Sequence, residues 1–180
     1  SGIPYERPTA TGVVATIRGT AQSAHGAADS PRRRIMLRAD IDGLPVAERT
    51  GESFSSENDG FMHACGHDCH IAMLLGAARL LAGMTDELEG EVRLVFQPAE
   101  EGGDGSKTMI SAGVLEGVDG VFGMHIWSDV PAGKVSVEAG PRMAATDWWR
   151  IDVTGRSAHG AMPNQGADAV LAGAAIVESL

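Results

Sequence analysis

No apolar run in this sequence approaches the roughly 20 residues that a membrane-spanning helix needs. The N-terminus also lacks the charged-then-apolar layout of a secretory leader, although Ser1-Gly2-Ile3-Pro4 is not a typical start and leaves room for a leader removed earlier. Basic residues are scarce: 14 Lys and Arg stand against 24 Asp and Glu, for a formal charge of −10. A phosphate-bearing partner requires clustered positive charge, so this balance excludes nucleic acid and an anionic membrane surface as partners. The only basic run, Arg32-Arg33-Arg34, precedes an apolar strand and reads as its solvated lead-in. Cysteine is scarcer still, with only Cys65 and Cys69, both beside histidines. Two such cysteines exclude a disulfide framework and fit metal chemistry in a reducing compartment, so the expectation is a soluble, cytoplasmic protein. Internal repeats and low-complexity tracts are absent too. What remains, at 43% hydrophobic content over 180 residues, suffices for one sizeable core and part of a second domain.

Against this background one stretch stands out chemically. Phe61-Met62-His63-Ala64-Cys65-Gly66-His67-Asp68-Cys69-His70 packs three histidines, two cysteines and an aspartate into ten residues. Thiolate and imidazole are preferred ligands of zinc and its first-row neighbours, and Gly66 gives the backbone freedom to aim Cys65 and His67 at one point. A Cys-x-His pair leaves coordination positions open, so the other half of the site must come from elsewhere; Glu100-Glu101 and His125 are the candidates. His63, Asp68 and His70 read as residues that orient ligands by hydrogen bonds, and Cys69 as a small packing residue.

The chain order supplies an independent reason to join these residues. Strands are expected over Gly12–Arg18, Ile35–Arg38, Glu91–Phe96 and Val118–Ile126. Between them lie a small-residue loop over residues 21–31, a buried helix from His70 to Ala82 capped by Asp68 and stopped by Gly83, and a short helix from Ser106 to Ala112. His25 falls in the loop with no second ligand type nearby and reads as solvated. Alternating strands and helices imply an α/β fold with a mostly parallel sheet and helices on both faces, which holds its ligands outside the C-terminal ends of the strands. Asp40, Asp42, Glu100, Glu101 and His125 all fall at such ends. Further strands are expected over Gly133–Glu138 and Trp148–Val153, and an amphipathic helix over Asp168–Leu180. Residues 1–141 therefore read as one domain, and 142–180 as the beginning of a second.

Glu100-Glu101 follows a proline and precedes two glycines, so the pair sits on a turn where its members can face different targets, one a metal and the other a water held by it. The neighbouring Gly102-Gly103-Asp104-Gly105-Ser106-Lys107-Thr108 resembles a phosphate loop in composition. Ser106 before the lysine and Glu101 where the first glycine is required exclude that reading.

Five ordered motifs now combine: Arg38-Ala39-Asp40-Ile41-Asp42-Gly43-Leu44-Pro45, His63-Ala64-Cys65-Gly66-His67-Asp68, Gln97-Pro98-Ala99-Glu100-Glu101-Gly102-Gly103, Gly123-Met124-His125 and Ser157-Ala158-His159-Gly160-Ala161-Met162-Pro163. Their order and spacing resemble the M20 metallopeptidases, and more narrowly the amidohydrolase branch with hippurate hydrolases, N-acyl-amino-acid amidohydrolases and indole-acetyl-amino-acid hydrolases. The resemblance implies a zinc-peptidase-like catalytic domain followed by the first part of an α+β lid and dimerisation domain. It implies two divalent metal ions (Zn, Mn, Co or Ni) bridged by Cys65, with His67, Glu101 and His125 as further ligands, Glu100 as general base and Asp40 behind the ligands. His159 is similar to the lid histidine that reaches an active site, often the dimer partner's, to stabilise an oxyanion. The expected reaction is hydrolysis of N-acyl amino acids to a carboxylate and a free amino acid; a short-peptide aminopeptidase or dipeptidase is the alternative within the family. Family members extend beyond this chain at both ends, including a last metal-binding histidine, so a non-catalytic metal-binding or dimerisation fragment is the alternative of another class. A homodimer formed through the lid is the expected partner arrangement.

Overall fold

The computed structural model describes residues 2–22 and 33–180. His25, Arg32 and most of the loop expected over 21–31 lie outside the described residues. The chain divides into two compact units, Ser1–Val135 and Ser136–Leu180.

The first unit contains β1 (Tyr5–Glu6), β2 (Val13–Arg18), β3 (Arg34–Asp40), α1 (His67–Ala82), β4 (Glu91–Gln97), α2 (Gly105–Ser111) and β5 (Gly120–Gly123). Its strands form one sheet in the order β1-β2-β4-β3-β5. β3 pairs in parallel with β4, from Arg34↔Glu91 to Asp40↔Gln97, and with β5. β2 pairs antiparallel with both β1 and β4. The sheet is therefore mixed, not mostly parallel as the alternation suggests. A strand–helix–strand unit requires parallel pairing only where the helix crosses over. α1 links β3 to β4 and α2 links β4 to β5, which accounts for the parallel trio; β2 has no such constraint and lies across β4 from β3.

Alternation of side chains along the strands gives the sheet two apolar faces, each covered by a helix as expected. On one, Ala15, Ile17, Ala39 and Leu94 pack with Leu74 and Ala78 of α1. On the other, Val14, Met36 and Val95 pack with Met109 of α2 and Val114. β4 lies between β2 and β3 and sends Leu94 and Val95 into opposite cores.

α1 begins at His67, three residues before the expected start, because Gly66 takes the left-handed conformation (φ 83°) at its N-cap. A side chain at Gly66 would also collide with Ile126. Asp68 does not cap: its Oδ1 accepts from the adjacent Cys69 N–H at 2.9 Å. Nor is the helix buried all round. A helix lying on one sheet face buries a single stripe, here His67, His70, Leu74 and Ala78, while Leu75 and Leu80 are exposed and Met73 is half-buried.

β5 ends at Gly123, so His125 lies beyond it and not at its end. The strands expected over Gly133–Glu138 and Trp148–Val153 do not form. Extended residues become a strand only by pairing with a neighbour, and among the described residues neither segment has one; Val137 and Trp148 are exposed. In the second unit, Arg156 and Ala167 exchange two N–H···O bonds of 2.9 Å. α3 (Ala169–Ser179) then starts under the carboxylate of Asp168, which accepts from the Val170 and Leu171 N–H groups at 2.9 and 3.0 Å. No helix among the described residues is long and apolar enough to cross a membrane.

One-sided burial of α1 has a measurable consequence. Leu94→Ala, at a 1% exposed site, is expected to lower the unfolding free energy by about 2–5 kcal/mol. Leu80→Ala on the outer face of α1 should change it by no more than about 0.5 kcal/mol. Urea unfolding of the two variants checks this, and equal losses would contradict it.

Candidate metal centre

The three parallel strands share one C-terminal edge, where loops from each can meet. β3 ends at Asp40, with Ile41-Asp42 following, and the Asp40↔Gln97 register brings the loop after β4 alongside. His125 follows two residues after β5. The first turns of α1 return His67 and His70 to the same edge.

Asp42 is the hub. Its backbone carbonyl lies 3.0 Å from Nδ1 of His63 and 3.0 Å from Nδ1 of His67, and its carboxylate accepts the Glu101 backbone N–H at 3.0 Å. A carbonyl only accepts, so both rings carry a proton on Nδ1. His67 is 1% exposed, and its Nε2 lone pair is left buried with no hydrogen-bond partner. Asp40 Oδ2 lies 3.7 Å from that atom, Glu100 Oε2 3.9 Å and Glu101 Oε1 3.9 Å. Glu101 Oε1 is likewise buried without a partner.

A second group adjoins the first. Cys65 Sγ stands 3.4 Å from His125 Nε2. The His125 Nδ1 donates to the Ile126 carbonyl at 2.5 Å, so its Nε2 also offers a lone pair. The ligand atoms of Cys65, His67 and His125 lie within 4.8 Å of one another, and so do those of His67, Glu100 and Glu101. Burial raises the Cys65 thiol first, and Glu101, Glu100 and Asp40 add to it, together pushing it up to about 11. Acceptors without donors and a thiol pressed by carboxylates are costly when buried, and a dication satisfies both at once. The mixture of sulfur, nitrogen and oxygen donors suits Zn, Mn, Co or Ni. The residues fit a divalent metal.

Asp40 and His70 are engaged differently. His70 Nδ1 lies 2.5 Å from Asp40 Oδ1, and its Nε2 accepts the Ile126 N–H at 3.0 Å. Asp40 Oδ2 accepts from Arg38 at 2.9 Å. Burial works against the Asp40 carboxylate, yet the His70 hydrogen bond and the Arg38 charge hold its carboxyl below the ordinary value.

The loop that carries Glu100 and Glu101 turns at Ala99, the one described non-glycine residue with positive φ (50°). A residue so held marks backbone strain at a site that determines where its neighbours point. The Ala99 carbonyl accepts from Gly105 N–H at 3.1 Å, and a side chain at Gly105 would strike the Pro98 carbonyl.

The residues singled out from sequence, Cys65, His67, Glu100, Glu101 and His125, thus come together in this one cluster. Two expectations fail. Asp68 is exposed and bonds only to its own helix start, so it orients no ligand, and Cys69 is exposed and not packed. Sequence reasoning missed the hub role of Asp42, which runs chiefly through its backbone carbonyl. Ala99 gave no signal, since alanine does not advertise a left-handed turn. His159 belongs to the second unit, where its exposed ring accepts the Ala161 N–H on Nδ1 at 3.1 Å and so carries its own proton on Nε2 in the neutral form.

Removal of Asp40 leaves His70 and Arg38 without their acceptor. Asp40→Ala is expected to cost about 3–5 kcal/mol. Because its folded pKa is depressed, Asp40 contributes stability that is full above the unfolded value of about 3.9 and is lost as pH falls from there through the lower folded value. Unfolding titrations should find part of the acid limb missing in the variant; identical limbs would contradict the assignment.

Known proteins resemble this chain over nearly its whole extent. It is 45% identical over 179 residues to an N-acyl-L-amino acid amidohydrolase of Geobacillus stearothermophilus, covering 99% of this chain and 46% of the relative. It is 42% identical over 180 residues to the IAA-amino acid hydrolase ILR1-like 4 of Arabidopsis thaliana, covering 99% and 39%. A crystal structure from Bacillus subtilis, described as a dinuclear metal-binding peptidase from the M20 family, superposes with a TM-score of 0.70 at 44% identity, covering 77% of this chain and 37% of the other. The chain spans less than half the length of these relatives. Residues 36–179, which include every residue of the cluster above, match peptidase family M20/M25/M40, and the chain belongs to that family.

Proposed function

We propose that this chain is the metal-binding part of an amidohydrolase that cleaves N-acyl amino acids to a carboxylate and a free amino acid with two divalent metal ions. The observation that carries the reading is the pair of buried acceptors, His67 Nε2 and Glu101 Oε1, which converge without any donor beside Cys65 and His125. The amidohydrolase relatives support the substrate class, and the dinuclear Bacillus subtilis protein supports the metal count.

Cys65, His67, Glu101 and His125 would hold the two ions, with Cys65 placed between the two groups. The thiol lies 3.4 Å from His125, and the Glu101 and Glu100 carboxylates help to push it up, so it stands between the two groups. Distance does not separate the two glutamates, since each lies 3.9 Å from His67 Nε2. Burial does. Glu101 has a fully enclosed oxygen and a backbone N–H pinned by Asp42, as a ligand requires, whereas the Glu100 side chain is 42% exposed, as suits a group that meets water and substrate. Divalent ions held by these residues would supply Lewis acidity towards the scissile carbonyl and a water of lowered pKa. Glu100 accepts the proton of the attacking water and delivers it to the leaving amine. His159, with its proton on Nε2, donates to the developing oxyanion.

Residues 1–141 act as the partial catalytic domain and 142–180 as the beginning of a lid through which the whole protein forms a homodimer. The cytoplasm suits the free thiols of Cys65 and Cys69. Short peptides are the second substrate reading, supported by the similarity to the Bacillus subtilis peptidase.

Substitutions separate the roles. In the whole protein, Glu100→Gln is expected to keep metal content and lose activity by about 10²–10⁴-fold; retention of more than a tenth of the rate would remove it as the base. Glu101→Gln should instead lose metal, with activity falling in proportion, and full occupancy by elemental analysis would reverse the two glutamates. His159→Ala should lower kcat by about 10²–10³-fold with little change in KM or metal content. A panel of N-acyl amino acids and dipeptides, assayed with each metal added back, decides the substrate class; hydrolysis of dipeptides alone would overturn it.

A further inference from the structure

His70 has no place in the donor set, yet it is 2% exposed, as is Asp40. Both its nitrogens are committed, and the direction of each bond is forced. The backbone N–H of Ile126 can only donate, so His70 Nε2 accepts it, at 3.0 Å. The ring proton therefore sits on Nδ1 and is donated to Asp40 Oδ1 at 2.5 Å. Behind Asp40, Arg38 donates to its other oxygen at 2.9 Å and to Gln97 Oε1 at 2.9 Å. The chain of bonds Gln97–Arg38–Asp40–His70–Ile126 thus begins on β4, crosses β3 and α1, and ends beyond β5.

At that end the backbone needs support. β5 stops at Gly123, so no ladder holds the segment that follows, and Ile126 is 41% exposed. His70 fixes the Ile126 N–H, while the Ile126 carbonyl accepts from His125 Nδ1 at 2.5 Å. The backbone on either side of Ile126 is held, and the carbonyl sets both the tautomer and the direction of the His125 ring. The His70 and His125 rings lie 4.6 Å apart at 69°.

We propose that His70 is a positioning residue for His125. It clamps the backbone beyond β5 so that the Nε2 of His125 faces Cys65 before any metal arrives. The proposal rests on His125 being a ligand, as set out above. Without the clamp, the metal must order this segment as it binds, and affinity falls by the entropy of doing so.

The test uses the metal-free chain and zinc. Amide exchange at Ile126 should be slow in the parental chain, with imidazole nitrogen shifts marking a proton on His70 Nδ1. His70→Leu should release that amide and weaken zinc binding by about 10–100-fold in competition with a chromophoric chelator. His70→Gln offers one N–H donor and one oxygen acceptor in place of the ring and should restore most of both. If His70→Leu does not fold, the parental Ile126 exchange and the His70 tautomer decide. A histidine that merely fills the core would lower the melting temperature of His70→Leu but leave its zinc affinity at the parental value, and that outcome overturns the proposal. So does a freely exchanging Ile126 amide or a proton on Nε2 in the parental chain. A parental chain that binds no zinc overturns the metal reading itself, a different failure from unchanged affinity in His70→Leu.

Discussion

The hydrogen bond from His67 Nδ1 to the Asp42 carbonyl is the interaction on which the centre depends. It commits one nitrogen of a buried ring to the backbone, so the other must face inward as a bare lone pair. In a dry interior such an acceptor is expensive unless a donor or a cation answers it, and the atoms around it are carboxylate oxygens. The same residue pins the Glu101 backbone N–H through its side chain, so Asp42 sets two members of the cluster at once. The left-handed turn of Gly66 and its missing side chain let α1 start where His67 can reach that carbonyl, with Ile126 packed against the turn. The centre is thus the product of a strand end, a helix start and a loop that have to meet at one carbonyl.

The mixed sheet shows why a partly wrong topology still locates the centre. Only β3, β4 and β5 carry these residues, and those three are parallel. The antiparallel β2 closes the core on the far side of β4 and contributes nothing to the shared edge. Strand-end placement follows from the crossover helices, and the crossovers were visible in the apolar run of residues 71–82 and the short helix expected over 106–112.

Much of the cluster was legible because its members are chemically conspicuous: a thiol, two imidazoles and paired carboxylates at strand ends. What escaped was backbone chemistry. The role of Asp42 runs through its carbonyl, the clamp on Ile126 through an N–H, and the turn at Ala99 through a φ that alanine rarely adopts; none of these leaves a mark in residue type. Capping illustrates the same limit. Asp168, not singled out as a cap, caps α3, whereas Asp68, expected to cap α1, does not, because Gly66 had already set the helix start. The aromatic and β-branched residues of 133–138 and 148–153 have strand propensity, yet propensity acts only through a paired neighbour, and none is present among the described residues.

Convergence of Cys65 and His125 with the buried acceptors of His67 and Glu101 on a divalent ion is the central claim. Titration of the metal-free chain with cobalt(II), followed by absorption, tests it most directly, because a cysteine ligand gives a thiolate-to-metal charge-transfer band in the near ultraviolet. The band should appear, saturate, collapse when zinc is added, and be absent from Cys65→Ser. A cobalt complex without that band, or one whose band survives in Cys65→Ser, would contradict the claim.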